Sequence, residues 1–474
     1  MQHKNNLAKD NHVFDKSILR SYDIRGEVGK TLDTKDAYHI GRAYGSMIRR
    51  TIQQPTVCVG YDGRISSPEL EKSLIEGLID TGVNVIRIGL GPTPMLYFSV
   101  QQLSADGGIM ITGSHNPPSH NGFKIMKGMK PFFGQDILEL GKVASSGEYK
   151  SGKGNIRNED VNLHYLNQLL SAFSGNKSKL KVAWDPANGA AGKVTSNLIN
   201  KLPGEHILIN EKIDGSFPSH HPDPTVPKNM EQLIEVVKYN GCDLGIGFDG
   251  DGDRIGVVDK NGNMVYGDQI LTILSQYILK EYPGSVIIGD VKSSDVLFDQ
   301  VSKNGGKPLM WKTGHSLIKT RMLETIDNTE SVYLAGEMSG HIFFKNNYCF
   351  DDGLYAAVKL INYLNNDENT LEKKLTELPK VVNTPEIRVE VSETNKFDII
   401  LKIKHQLNLR NVEFNDMDGV RVSCKDGWWL IRASNTEAAL IVRCESFSDI
   451  GLSSIIETVR STLNNAGVNT DDLL

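Results

Sequence analysis

The stretch with the clearest capacity for group-transfer chemistry is residues 108–118, which present a serine in a stiff loop. The apolar residues 109–111 predict a short buried strand, and Ser114 lies just beyond its end. Pro117 and Pro118 then prevent the chain from continuing as a helix or as a central strand. A hydroxyl held in this way can be presented to a reacting group, although an isolated Gly-Ser-His sequence is more often an ordinary polar turn.

A second loop places carboxylates on alternate residues, at Asp249, Asp251 and Asp253. Alternate side chains of an extended segment point to the same side, so these groups converge and repel one another unless a cation binds. Ligation by oxygen alone selects a hard ion such as Mg²⁺ or Mn²⁺. An EF-hand begins in the same way, but Arg254 and Lys260 stand where it needs glycine and glutamate. A solvated acidic turn is the other alternative, and the apolar strands predicted on both sides disfavour it.

A third loop, residues 336–341, brings Glu337, Ser339 and His341 to one side of an extended segment by the same alternation. A carboxylate beside a hydroxyl suits paired sugar hydroxyls, because a carboxylate accepts two hydrogen bonds at once. The motif is weak alone and gains weight from the other loops.

A fourth loop, residues 432–437, follows a predicted strand and offers a guanidinium, short polar side chains and backbone N–H groups. This combination is typical of a phosphate-binding loop. The alternative is a helix N-cap at Ser434 or Asn435, and a residue can serve both purposes. Lys292 and His315 add a further cation and an imidazole from a preceding part of the chain.

The elements that must position these loops recur along the chain. Three buried strands end in aspartate, at Asp62, Asp185 and Asp290, and each is followed by a small-residue turn and a helical pattern. Further along each copy come another strand and a glycine-rich loop, which are the loops of Ser114, Asp249 and Glu337. This alternation predicts parallel or mixed sheets covered by helices. We therefore expect three tandem α/β domains of similar topology, with chance similarity among α/β segments as the alternative.

The chain then changes character. Residues 145–154 and 365–377 are polar and predict linkers, and beyond Pro379 come short strands with turn signals at Asp418-Gly419 and Asp426-Gly427. Residues 449–463 have helical spacing, so the last part is predicted to be a smaller α+β domain. The four predicted domains are residues 1–155, 156–260, 261–376 and 377–474.

Composition bounds the function. A chain of 474 residues with 39% hydrophobic and 23% charged residues is expected to form several globular domains. A net charge of −6 argues against general binding to nucleic acid or to membrane surfaces. No apolar run approaches the roughly 18 residues of a membrane span, and the polar amino terminus has no apolar signal core. The 5 cysteines have no Cys-x-x-Cys spacing. We expect them to be reduced core residues in a cytoplasmic protein that is a monomer or a weak dimer.

The four loops, in this order, resemble those of the α-D-phosphohexomutase superfamily, and the resemblance extends from Tyr22 to about residue 460. The Glu-Met-Ser-Gly-His form of the third loop is similar to that of the bacterial phosphomannomutase/phosphoglucomutase group. The resemblance implies four domains around a central cleft, with one loop from each domain. Gly113 stands where the family usually has alanine, and we expect it to loosen the serine loop slightly.

The resemblance also implies site roles. Ser114 would carry a phosphoryl group, and one Mg²⁺ per chain would be held by Asp249, Asp251, Asp253 and a phosphoryl oxygen on the serine. Sugar hydroxyls would be bound by Glu337 and Ser339. The non-reacting phosphate of the substrate would be held by Arg432, Ser434, Asn435 and Thr436. The other residues expected to contact the substrate are Tyr22, Arg25, Lys124, Arg254, Lys292, His315 and His341.

The implied reaction is the reversible interconversion of hexose 1-phosphates and hexose 6-phosphates through a hexose 1,6-bisphosphate, with glucose 1,6-bisphosphate as activator. The candidate general acids and bases are Lys124, His341 and His315, with His115 and Arg25 as further catalytic residues. A phosphoglucosamine mutase is the main alternative. A metal-dependent sugar phosphatase needs no second phosphate site, and an inactive sugar-phosphate-binding protein needs neither the serine nor the aspartates.

Overall fold

The computed structural model describes residues 10–326, 331–367, 370–435 and 438–470. The chain falls into two compact units, between which it passes several times. Unit 1 comprises Met1–Gly267, Lys319–Glu324 and Ser339–Leu371, and unit 2 comprises Asp268–Ile318, Thr325–Met338 and Glu372–Leu474.

The first sheet of unit 1 is mixed. Its strands are β1 (Ile24–Glu27), β2 (Thr56–Tyr61), β3 (Asn84–Leu90), β4 (Gly107–Ile111), β5 (His120–Lys127), β6 (Lys130–Pro131) and β7 (Ile156–Asn158). The helices of this part are α1 (Thr34–Ile48), α2 (Ser67–Ile79), α3 (Thr93–Gln102) and α4 (Gln135–Ser146). The strand order is β1-β5-β4-β2-β3-β7, with β6 beside β5. Strand β4 lies parallel to β2 and antiparallel to β5, which places the serine loop at the carboxyl end of a central strand.

The second sheet of unit 1 repeats this arrangement. Its strands are β8 (Lys181–Asp185), β9 (Glu205–Leu208), β10 (Leu244–Phe248), β11 (Ile255–Asp259) and β12 (Met264–Val265), in the order β12-β11-β10-β8-β9. Helices α5 (Asn162–Ser171), α6 (Gly192–Ile199) and α7 (Glu231–Asn240) accompany it. Strand β10 is buried throughout and lies parallel to β8 and antiparallel to β11. The acidic loop joins β10 to β11.

The third sheet contributes the strands β13 (Val286–Asp290), β14 (Lys307–Trp311) and β15 (Val332–Gly336) to unit 2, in the order β14-β13-β15 and all parallel. The short strand β16 (Ile342–Phe344) belongs to the part of the chain in unit 1. The helices in this stretch are α8 (Gly267–Glu281), α9 (Asp295–Lys303), α10 (His315–Glu324), α11 (Gly353–Asn365) and α12 (Leu371–Thr376).

The three sheets share one topology. In each, the first strand lies between the second and the third, as in β3-β2-β4, β9-β8-β10 and β14-β13-β15. The three loops singled out in the sequence follow β4, β10 and β15, the third strand of each copy. The aspartates Asp62, Asp185 and Asp290 lie at or just after the end of the first strand. The prediction of three similar α/β domains is therefore confirmed.

The last part of unit 2 is the predicted α+β domain. Its strands are β17 (Val382–Asn383), β18 (Ile387–Glu390), β19 (Val420–Cys424), β20 (Gly427–Ala433) and β21 (Ala439–Ser446), and its helices are α13 (Lys396–Leu409) and α14 (Asp449–Asn465). All its strand pairs are antiparallel, in the order β17-β21-β20-β19 with β18 also on β21. One face packs on both helices through an apolar core that includes Val389, Ile403, Val420, Leu440 and Val459.

Two remaining predictions concern membranes and cysteines. Within the described ranges, no helix is both long and apolar enough to cross a membrane. Every cysteine is a free thiol, and Cys58, Cys242, Cys349 and Cys444 are buried. The expectation that all are core residues is wrong for Cys424, which is exposed near the turn between β19 and β20.

Candidate active site

Ser114 lies in a constrained turn next to the acidic loop. It is 1% exposed, and its backbone has a φ of +48°, in the left-handed region that costs a non-glycine residue energy. Its hydroxyl donates a hydrogen bond of 2.7 Å to Oδ2 of Asp249. Its amide donates to Oγ1 of Thr112 at 3.0 Å. The predicted strand-end serine is thus fixed on both its backbone and its side chain.

His115 is close to the serine hydroxyl, with 3.2 Å between its Nδ1 atom and Ser114 Oγ. Burial lowers the pKa of His115 well below its ordinary value, and the cations Arg254 and Arg25 lower it further. Both effects favour the neutral form of the imidazole, which can exchange a hydrogen bond with the hydroxyl.

The predicted carboxylates converge. Asp249, Asp251 and Asp253 are each 0% exposed, and one oxygen from each lies within 4.8 Å of the others. Burial raises the pKa of Asp249, and repulsion from Asp251 and Asp253 raises it further. The Oδ1 atoms of Asp251 and Asp253 are buried and accept no hydrogen bond from any residue in the described part of the chain. Buried oxygens of this kind fit a hard divalent cation, which would satisfy them and relieve the repulsion.

Lys124, on β5, provides part of the charge balance. Its ammonium group donates to Oδ2 of Asp251 at 2.7 Å and also to Oδ2 of Asp253. Burial alone would lower the pKa of Lys124, but Asp251 and Asp253 together raise it above its ordinary value. For Asp251, burial would raise the pKa, but the ion pair with Lys124 outweighs it and the net pKa is lowered. Lys124 is therefore held protonated against the acidic cluster.

Thr93 fixes the acidic loop from a second direction. Its hydroxyl donates to Oδ2 of Asp251 at 2.5 Å, and its amide donates to the carbonyl oxygen of the same aspartate at 2.8 Å. The residue lies at the start of α3, just after Pro92. The sequence analysis missed Thr93, and the only signal for it was its place between Pro92 and Pro94 after a strand.

His341 belongs to the same unit as the acidic loop. Its Nδ1 atom is 2.9 Å from Asp351 Oδ2 and 3.6 Å from Asp253 Oδ1, and its Nε2 atom accepts a hydrogen bond of 3.0 Å from Arg254 Nε. Lys319 donates to the other oxygen of Asp351 at 2.8 Å. Asp351 is a residue that sequence reasoning missed, and the acidic pair before α11 was its only signal.

The other predicted residues of unit 1 lie on or near β1, or between β15 and β16. Arg25, on β1, donates to Asn116 Oδ1 at 2.7 Å and forms an ion pair with Asp23. Tyr22 precedes β1 and is half-buried, and Ser339 is also half-buried. Arg25 therefore contacts the serine loop directly, through Asn116.

Gly113 has a structural role that the sequence analysis did not anticipate. A Cβ atom there would lie 2.5 Å from Cζ of Arg64, which is too close for either residue to remain in place. The lack of a side chain at Gly113 therefore makes room for the guanidinium of Arg64, which donates to carbonyl groups of the serine loop. The expectation of a slightly looser loop stays a prediction, and it did not take this neighbour into account.

Unit 2 carries the remaining predicted residues. Glu337, which is 3% exposed, accepts a hydrogen bond of 2.5 Å from the amide of Gly314, the residue before His315. Arg432, at the end of β20, lies with its Nε atom 3.0 Å from Oδ2 of Asp418. The same oxygen accepts from the amide of Thr313 at 3.1 Å. Asp418, known from the sequence only as a turn signal, thus joins Arg432 to the turn before His315, the first residue of α10.

The cation Lys292 is also paired within unit 2. Its ammonium group donates to Glu386 at 2.9 Å, and this ion pair lowers the pKa of Glu386 to about 2. Ser434 is buried and its amide donates to the carbonyl group of Ala439, and Asn435 is half-buried beside it. Thr436 lies outside the described residues.

The site in unit 1 has a definite chemical character. A buried serine hydroxyl lies against convergent carboxylates that suit a divalent cation, and cations and an imidazole are close by. In an α/β fold with its loops at the carboxyl ends of central strands, this arrangement defines an enzyme of the phosphoryl-transfer class.

Comparison with known proteins specifies the class. The chain matches the family descriptions "Phosphoglucomutase/phosphomannomutase, alpha/beta/alpha domain I", II and III over residues 16–137, 163–262 and 266–382, and the C-terminal domain over residues 386–461. The chain belongs to the phosphoglucomutase/phosphomannomutase family. Its fold, reaction class and similarity to the bacterial members, expected from the sequence, are confirmed.

Individual relatives agree over almost their whole length. The chain is 43% identical to a phosphomannomutase/phosphoglucomutase of Pseudomonas putida, with 94% of this chain and 95% of that protein covered. It is 38% identical to a phosphoglucomutase of Neisseria gonorrhoeae, over 93% and 95%. A crystal structure of a family protein from Burkholderia thailandensis superposes with a TM-score of 0.88 at 38% identity, over 96% and 99%.

The acidic loop generates a prediction about divalent cations. Asp251→Asn replaces a carboxylate by an amide that cannot neutralise a cation, and Thr93→Val removes the hydroxyl that orients Asp251. We expect both to weaken Mg²⁺ binding in isothermal titration calorimetry, Thr93→Val by about tenfold to a hundredfold, as for other residues that orient a ligand. Ser99→Ala is the control, because Ser99 is buried in α3 and its hydroxyl donates to the carbonyl oxygen of Met95 in the same helix. Unchanged Mg²⁺ affinity in Asp251→Asn would contradict the metal site.

Proposed function

We propose that this chain interconverts hexose 1-phosphates and hexose 6-phosphates, with Ser114 as the carrier of the transferred phosphoryl group. The observation that carries the proposal is the hydrogen bond of 2.7 Å between Ser114 Oγ and Asp249, within a buried cluster of carboxylates. Membership of the phosphoglucomutase/phosphomannomutase family supports it.

In the proposed cycle, the bond between Ser114 Oγ and phosphorus breaks as O6 or O1 of the sugar attacks. The product is a hexose 1,6-bisphosphate, which turns end over end and returns its other phosphoryl group to the serine. A sugar hydroxyl must lose its proton and the serine must gain one, so a base and an acid are needed. We propose Lys124, His341 and His315 for these roles, and His115 and Arg25 as further catalytic contacts.

We propose Mg²⁺, one per chain, as the cation of the acidic loop, held by Asp249, Asp251, Asp253 and a phosphoryl oxygen on Ser114. When bound, it neutralises charge that develops on the transferred phosphoryl group. The chain's own residues supply the geometry. Thr93 orients Asp251, and Lys124 balances the remaining carboxylate charge.

The substrate is proposed to make three kinds of contact. Glu337 and Ser339 bind sugar hydroxyls, since a carboxylate accepts two hydrogen bonds. The phosphate that is not being transferred is held by Arg432, Ser434, Asn435 and Thr436. Tyr22, Arg254 and Lys292 make the remaining contacts. Because the bisphosphate turns over, the same phosphate-binding residues meet the phosphate on C1 in one half of the cycle and that on C6 in the other.

Several finer statements remain proposals of the same kind. Glucose 1,6-bisphosphate is proposed as the activator that phosphorylates Ser114 when the phosphoryl group has been lost. The domain boundaries after residues 155, 260 and 376 stay predictions of the sequence. A cytoplasmic location, and a monomer or weak dimer, are predictions of the sequence.

The first test concerns Ser114. Purified protein is expected to contain a fraction heavier by one phosphoryl group in intact-mass spectra, and this fraction should be absent from Ser114→Ala. Turnover of glucose 1-phosphate in a coupled assay should fall by several orders of magnitude, since the carrier is lost. Ser119→Ala, an exposed serine near the same loop, should keep both properties. Full activity of Ser114→Ala would exclude the phosphoserine mechanism.

A second test separates phosphate binding from chemistry. Arg432→Ala should lower kcat/KM in both directions by about tenfold to a hundredfold, because a hydrogen bond to a charged group contributes about 1.5–3 kcal/mol. Arg432→Lys should recover only part of this loss, because lysine lacks the planar pair of donors. The control is Arg410→Ala, at the exposed end of α13. If Arg432→Ala matched the wild type, this loop would not bind phosphate.

A third test distinguishes the sugar. If Glu337 and Ser339 bind O3 and O4, neither of them contacts the hydroxyl group on C2, whose orientation distinguishes glucose from mannose. We expect kcat/KM for glucose 1-phosphate and mannose 1-phosphate to agree within about tenfold to a hundredfold, the range for an unread group. Glucosamine 1-phosphate should be poorer, because its ammonium group would meet cations proposed to contact the substrate. A clear preference for glucosamine 1-phosphate would instead identify a phosphoglucosamine mutase.

A further inference from the structure

Arg64 occupies an unusual position for an arginine near an active site. It follows β2 in the sequence Asp62-Gly63-Arg64, and its side chain is 0% exposed. A buried guanidinium is costly unless its donors are satisfied. The groups that bond to the Arg64 guanidinium therefore indicate the role of this buried charge.

The four Nη hydrogens of Arg64 are directed at the serine loop and at the first residue of β5. Nη2 donates to the carbonyl oxygens of Ser114 and Asn116, at 2.7 and 2.6 Å. Nη1 donates to those of Pro117 and His120, at 2.6 and 2.8 Å. Because these four bonds use all the Nη hydrogens, the guanidinium holds the loop and does not bind a substrate.

Asp62 completes the frame around the serine. Its Oδ2 atom is 3.2 Å from Arg64 Nε, and it accepts hydrogen bonds from Thr112 Oγ1 at 2.8 Å and from the amide of Gly113 at 3.2 Å. Thr112 Oγ1 in turn accepts from the amide of Ser114. The amide on one side of Ser114 is thus held by Thr112 and the carbonyl group on the other side by Arg64.

Holding both peptide groups fixes the direction of the side chain between them. Ser114 has a φ of +48°, a conformation that a serine does not keep without support from its surroundings. Rotation of either peptide group would move Oγ away from Asp249, to which it donates at 2.7 Å. A displacement of about 1 Å at a reacting atom can cost roughly a hundredfold in rate.

We propose that Arg64, held by Asp62 and assisted by Thr112, is a positioning residue for phosphoryl transfer at Ser114. It fixes the serine in the left-handed conformation that directs Oγ at Asp249. This role rests on the proposed function of Ser114 and adds to it a requirement on residues that do not touch the substrate. The alternative is that Arg64 only stabilises the first domain.

Arg64→Lys tests this role. A lysine ammonium group has three tetrahedrally arranged hydrogens and cannot serve four carbonyl groups that a planar guanidinium serves. We expect kcat to fall by about tenfold to a hundredfold, as for a small displacement of a reacting atom, while KM for glucose 1-phosphate stays within about twofold. Mixing the phosphorylated variant with glucose 1-phosphate should release the phosphoryl group from Ser114 more slowly by the same factor, as followed by intact mass.

Arg87→Lys is the matched control for stability. Arg87 lies on β3 of the same sheet, and its guanidinium makes a bidentate pair with Glu71 at 2.6–2.9 Å. The substitution should lower the Tm without slowing phosphoryl transfer from Ser114. Equal losses of rate in Arg64→Lys and Arg87→Lys at equal Tm would show that Arg64 acts through stability alone and would overturn the proposal.

Thr112→Val is a second test of the same role, in which the side chain keeps its shape and loses only its hydroxyl group. It removes the hydroxyl that links the Ser114 amide to Asp62, and we expect a lower kcat at unchanged KM. Thr81→Val is its control, because Thr81 is buried in the same part of the chain and its hydroxyl donates to the carbonyl oxygen of Leu78, in α2. Wild-type transfer rates in both Arg64→Lys and Thr112→Val, with Ser114 phosphorylated in the wild type, would overturn the inference and leave the proposed function intact. A wild-type protein that is active but never phosphorylated at Ser114 would overturn both.

Discussion

The mutual repulsion of buried carboxylates is the constraint on which the rest of the site depends. Asp249, Asp251 and Asp253 are fully buried, and burial makes each charge more costly. The ammonium group of Lys124 offsets part of this charge, and Ser114 donates its hydroxyl hydrogen to Asp249. The carboxylates thus bind both the serine hydroxyl, which follows β4, and the ammonium group of Lys124, on β5. The same excess of negative charge is what makes the loop suited to a divalent ion.

The sequence predicted the parts of the site that lie within one loop. The serine after a buried strand and the alternating aspartates are local patterns, and the recurring strand that ends in aspartate was enough to indicate three similar domains. Arg64 and Asp351 could not be found in this way, because their partners lie in other elements of the chain. Arg64 and Ser114 are 50 residues apart and meet only because β2 and β4 are neighbours in the sheet.

The contact between Gly113 and Arg64 could not be predicted for the same reason. From the sequence, a glycine beside the serine indicates a freer backbone, since glycine has the widest conformational range. In the fold, the guanidinium of Arg64 occupies the volume that a side chain at residue 113 would fill. A residue type therefore predicts the freedom of an isolated chain, whereas its effect in the protein depends on what fills the volume around it.

The repeated topology explains how one fold provides different groups at equivalent places. Two residues after the aspartate that ends the first strand stand Arg64, Ala187 and Lys292 in the three copies. Arg64 donates to its own copy's third-strand loop, whereas Lys292 pairs with Glu386 of the last domain. The end of the first strand fixes the backbone position of this residue in each copy. The role of the residue therefore depends on its side chain and on the groups that the side chain contacts. One backbone position has thus become a support for the serine in one copy and a cation linked to the last domain in another.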